Sequence, residues 1–124
     1  MTRAINRTRG TVLCAQLEEA QGYSGRSRGL LGRERLLPHH GMRFIRSRLE
    51  PFMWMHMFFM RFPIDLVFLG HDDRVIKINP GLKPWRLSSI VIGATQALEL
   101  AAGAVARSGT AVGDRIVIEP ISLD

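Results

Sequence analysis

Cysteine is nearly absent from this chain: Cys14 is the only one in 124 residues. One thiol can close no intrachain disulfide, so the fold must rest on its packed core, and a reducing, cytoplasmic setting is the expectation. Long uninterrupted apolar runs are missing as well. The richest stretch, Phe52 to Leu69, is interrupted by His56, Arg61, Pro63 and Asp65, which makes it a poor membrane span. No apolar region follows the basic opening MTRAINRTRG, so no secretory signal is expected. Nucleophile elbows, phosphate-cradling glycine loops, HExxH motifs and paired cysteines are all lacking, and with them the reactions they support.

Lysine is scarce too. Arginine supplies 15 of the 17 basic residues, a bias that codon usage alone can produce. The net charge of +6 is nonetheless uneven. Residues 1–48 hold ten arginines against Glu18, Glu19 and Glu34, whereas residues 49–124 carry a slight acidic excess. A basic front end attracts polyanions weakly and without sequence preference. No recognition motif accompanies the charge, so nucleic acid is the lesser alternative as a partner.

What the chain does have is 46% hydrophobic residues, enough for one core. Residues 1–10 read as a loose basic arm and residues 11–124 as a single domain. TVLCAQL at 11–17 alternates as a strand does, and Ser24 can cap a short helix over about 25–36. GMRFI at 41–45 reads as a strand. IDLVFL at 64–69, the turn GHDD and RVIKI at 74–78 read as a hairpin. NPGLKPWR at 79–86 reads as a loop, 87–92 as a strand, and RIVIEP as the closing strand. Seven or eight short strands and two short helices predict an α+β, mostly β fold with a small curled or barrel-like sheet.

GLLGR at 29–33, GMRF at 41–44, FPIDLVFL at 62–69 followed by RVIKI, and ALELAAGAVARSGTAVGDRIVI at 97–118 occur in this order. Together they resemble the domain-of-unknown-function 192 family (uncharacterised protein family 0127) over about residues 11–119. The resemblance implies a small α+β domain with a curled sheet, and it brings no agreed activity. Many members have proline where this chain has Ala101, which implies a strand over 94–100 and a helix over about 102–108. Many also have a polar Lys-Asn-Thr stretch where this chain has Phe58, Phe59 and Met60. His56 is the nearby polar residue.

Asp65 stands out among the candidate site residues. It lies on the strand face of Val67 and Leu69, where a carboxylate is costly unless hydrogen-bonded or paired. It can be a structural acceptor near the start of its strand, just after Pro63, or a site group. Arg61 shares its face and could reach it only if the chain bends at Pro63. Met53, Met55, Met57 and Met60 surround His56. They could hold Cu(I), but core filling is the expectation, with no metal and no cofactor. Arg33 could bind an anion or complement a helix C-terminus. His39, His40 and the turn His71 to Asp73 read as solvated.

Two functions follow. The favoured one is a non-catalytic binding or accessory domain for a small anionic ligand or a protein partner. The alternative is an enzyme acting on a small anionic substrate, with Asp65 and His56 as acid and base and Arg61 or Arg33 as anchor. Convergence of His56, Arg61 and Asp65 on one cavity would favour the enzyme.

Overall fold

In the first strand, β1 (Thr2–Asn6), Ala4 and Asn6 point into the protein while Arg3 points out. The loose arm expected at the N-terminus is therefore a sheet strand followed by a turn. Its arginines obscured this, because each needs a distant partner. Arg3 and Arg7 reach Glu119, at 2.6 and 3.4 Å, and Arg9 reaches Asp114, at 2.6 Å.

The computed structural model describes residues 1–20, 35–46, 51–58 and 60–121. The further strands are β2 (Thr11–Glu19), β3 (His40–Ile45), β4 (Phe52–Met53), β5 (Ile64–Leu69), β6 (Val75–Leu82), β7 (Val91–Ile92), β8 (Gln96–Ala101) and β9 (Ile116–Pro120). A short helix, α1 (Ala104–Ser108), follows β8. Seven strands form one sheet in the order β6-β5-β8-β3-β2-β1-β9, and β4 pairs with β7 as a separate ribbon. The sheet curls until its edge strands touch at one end. There Val75 N–H donates to the Asp114 carbonyl and Ile116 N–H to the Asp73 carbonyl, both at 2.9 Å. The mostly β α+β fold is the one the sequence predicts.

The predicted passage from strand to helix near Ala101 is present, and Gly109 stops the helix in the left-handed region (φ 73°). The strand runs 96–101 and the helix 104–108, each within two residues of expectation, and two other boundaries differ more. β6 continues through Asn79–Leu82, where a loop was expected, because it is an edge strand and tolerates Pro80, which has no N–H to donate. Of residues 87–92 only Val91–Ile92 form a strand, and Leu87 makes an isolated bridge to His56. The helix expected over about 25–36 falls almost wholly outside the described residues.

β5 is buried on both faces, which explains its unbroken apolar run. Val67 and Leu69 pack inside the curl with Leu13, Leu17, Leu98 and Ile116. Ile64, Leu66 and Phe68 pack outward, under Met53, Met55, Met57 and Met60. The methionines are thus core. Burial pushes the Cys14 thiol up to about 11, which leaves it protonated and unreactive at neutral pH.

Candidate functional site

Asp65 begins on the inner face of β5, one residue into the strand, and is only 3% exposed. Three backbone N–H groups donate to its carboxylate: Gly81 at 2.9 Å, Gly103 at 3.1 Å and Val105 at 3.0 Å. Gly103 is the N-cap of α1 and has no side chain with which to cap it. Asp65 therefore caps the helix from another strand and pins the end of β6 at the same time. Arg61 is exposed and is not among its partners. The bend at Pro63 does not bring the two together.

His56 sits elsewhere. From Phe52 to Phe58 the chain alternates: Met53, Met55 and Met57 point into the core, while Phe52, Trp54, His56 and Phe58 point away. The outward rings form a row. Trp54 and His56 have centroids 6.4 Å apart, His56 and Phe58 stack at 4.9 Å, and Phe58 meets Trp85 at 6.1 Å. Across the ribbon, Ile92 lies opposite Phe52 and Leu87 opposite His56, and Ile90 falls between Leu87 and Ile92 in the chain. Directly opposed residues of an antiparallel pair share a face. The ribbon thus buries one apolar face and presents a second to solvent, with Trp85, Leu87, Ile90 and Ile92 all exposed.

Trp85 is held out by its turn. Arg86 N–H donates to the Lys83 carbonyl at 3.3 Å, Pro84 occupies the second position and Trp85 the third, at φ 68°. These are the marks of a type II turn, whose third position normally takes glycine or asparagine. A bulky residue there is strained, and such strain concentrates at working sites. The signal was present in the sequence as KPWR and as the odd-even pattern of 52–58.

A second polar cluster lies where the sheet closes. Asn6 Nδ2 donates to Asp114 Oδ2 and to Thr110 Oγ1, each at 3.0 Å. Arg9 Nε donates to the same Asp114 oxygen at 2.6 Å and Ala111 N–H at 3.0 Å. The hydrogen bond from Arg9, with help from Asn6 and Ala111, overcomes the cost of burial and holds the Asp114 carboxyl at about 2. The folded value lies below the unfolded one of about 3.9, so Asp114 adds stability above that pH and loses it as pH falls through about 2. The gap in urea midpoint between the native protein and Asp114→Asn should accordingly be wide at neutral pH and close between pH 4 and pH 2.

Two concavities are lined by described residues alone. An open groove of about 600 Å³ at the end of the ribbon carries Lys83 and Arg86, with Asn79, Ser88 and Ser89 on its floor. The Asn79 side chain fixes that floor, accepting from Ser89 N–H at 3.0 Å and donating to Ser89 Oγ at 3.2 Å. A smaller pocket of about 250 Å³ sets Arg35 and Arg107 against Phe62, Pro63 and Ala101. His56, Arg61 and Asp65 line neither. Arg33 lies outside the described residues. Among the described residues no group of three or more His, Cys, Asp or Glu side chains is placed to hold a metal ion.

Comparison with known proteins gives a consistent picture. A UPF0127 protein of Thermococcus sibiricus is 31% identical over 117 residues, covering 90% of this chain and 71% of the relative. The crystal structure of a protein of unknown function from Novosphingobium aromaticivorans superposes with a TM-score of 0.79 at 26% identity, covering 94% of this chain and 82% of that one. A protein of Sinorhizobium meliloti described as a proposed transcription regulator superposes with a TM-score of 0.77 at 30% identity, covering 94% and 90%. Among the described residues no helix is long and apolar enough to cross a membrane. The family model for DUF192, an uncharacterised ACR, matches residues 4–118, and the chain belongs to that family of unknown function.

Proposed function

We propose that this protein is a non-catalytic binding domain, acting in a reducing cytoplasm, and that the outer face of the β4–β7 ribbon is its working surface. The observation that carries this reading is the row of half-buried and exposed rings beside the exposed aliphatic side chains on that face, with Trp85 held outward in a strained turn. Contiguous apolar patches of this kind mark interaction sites. Asp65, the best acid-base candidate in the sequence, spends its carboxylate on three backbone N–H groups. That argues against the enzyme reading built on Asp65 and His56.

Hydroxyl-radical footprinting tests the proposal. Trp85, Ile90 and Ile92 should be protected in intact cells relative to the purified protein, while Val12 and Val112, exposed on other faces, react equally in both. Equal reactivity at all five sites would overturn it. Trp85→Asn should keep the fold within about 1 kcal/mol, since asparagine suits the left-handed region, yet lose the protection.

The pocket between Arg35 and Arg107 favours a second reading, a site for a small carboxylate or phosphate. Calorimetric titration with inorganic phosphate, repeated on Arg107→Gln, separates it from the first.

A further inference from the structure

We propose that the occupant of the ribbon face is the surface of an anionic membrane, on which the protein docks without crossing it. The proposal rests on the reading of that face as the working surface and names its partner. Two features of the face select a lipid surface over other partners.

The first is the mixture of side chains. Trp54, Phe58 and Trp85 supply rings that suit the boundary between headgroups and acyl chains. Interleaved with them, Ile92 is 81% exposed, Ile90 69% and Leu87 56%. These aliphatic groups offer no plane on which a base could stack, which disfavours single-stranded nucleic acid. They do bury well in the outer part of a bilayer.

The second is charge. No carboxylate occurs in residues 51–64 or 74–98, and the next one, Glu99, is buried in β8, whereas Lys83 and Arg86 line one groove at the ribbon's end. Both line the groove beside Trp85, where a headgroup phosphate would sit. Two copies packed face to face across a two-fold axis would bring these cations toward each other, which disfavours self-association. An anionic lipid surface complements them.

Co-sedimentation with vesicles tests the proposal. The protein should bind phosphatidylcholine vesicles containing phosphatidylglycerol, bind pure phosphatidylcholine much more weakly, and be released as salt rises. Lys83→Gln with Arg86→Gln should weaken binding about 30-fold. Ile90→Asp and Ile92→Asp should also weaken it. All four side chains are exposed, so each variant is expected to keep the native urea midpoint, and a variant that does not is replaced by Lys83→Gln alone. Brominated phosphatidylcholine in the same vesicles should quench tryptophan emission in the native protein.

Absence of vesicle binding would overturn the proposal, as would equal affinity for both vesicle types or no response to the paired charge variant. Footprint protection that persists in membrane-depleted extract, without vesicle binding, would sink the membrane and leave the ribbon face as working surface. Concentration-dependent dimers blocked by Ile92→Asp, or tight binding of a single-stranded oligonucleotide in place of vesicles, would overturn it in favour of those partners.

Discussion

Asp65→Asn should cost about 3 kcal/mol of folding stability, read as a drop in urea midpoint at neutral pH with an unchanged slope. The carboxylate accepts from Gly81 on one oxygen and from Gly103 and Val105 on the other. The amide of asparagine keeps one acceptor oxygen and turns a donor toward the remaining N–H or pair of N–H groups. Whichever way it is flipped, at least one buried backbone donor is orphaned, at about 1–3 kcal/mol each. Either the tie from β5 to the end of β6 or its tie to the start of α1 is then broken. An unchanged midpoint would refute the structural role and return Asp65 to the list of site residues.

Gly41→Ala should also be severe, at about 3 kcal/mol and a fall in Tm of about 10 °C. β3 runs between β2 and β8, and Gly41 pairs with Leu100 on one side and Leu17 on the other. A Cβ at Gly41 would meet the Glu99 carbonyl oxygen and Leu100 Cδ2 at 2.8 Å and Cys14 Sγ at 3.0 Å. The Cys14 side chain can adjust, but the Glu99 carbonyl belongs to the backbone of a central strand. Relieving that contact means displacing β8 from its neighbours. A variant with native Tm would show that this packing is looser than the distances imply. The glycine of the GMRF block is thus explained by close approach of strands, with no ligand needed.

Local pattern carried the parts of this fold whose causes are local. The β5–β6 hairpin was legible because an apolar run, a GHDD turn and a second run lie together in sequence, and β9 because it follows a Gly-Asp turn. The end of α1 was legible because Gly109 is the residue its left-handed stop requires. Burial of the methionines was legible because methionine fills irregular cores, and alternate spacing puts Met53, Met55 and Met57 on one strand face. The same period, read on the other face, would have exposed Phe52, Trp54, His56 and Phe58 as a row.

What only the tertiary structure decided has partners far apart in the chain. β1 reads as a charged arm until Arg3 meets Glu119, 116 positions away. β6 reads as ending before Pro80 until the sheet order makes it an edge. Asp65 reads as an acid-base candidate until the curl of the sheet delivers Gly81, Gly103 and Val105 to its two oxygens, 16 to 40 positions on. Arg61 and His56 read as its companions until the fold leaves Arg61 exposed and sets His56 on the outer face of residues 52–58. Residue type and periodicity determine which segments become strands and which faces are apolar. Whether a polar group on such a face is consumed or available depends on which backbone donors the closed sheet brings to it, and hydrogen bonds reach only about 3 Å.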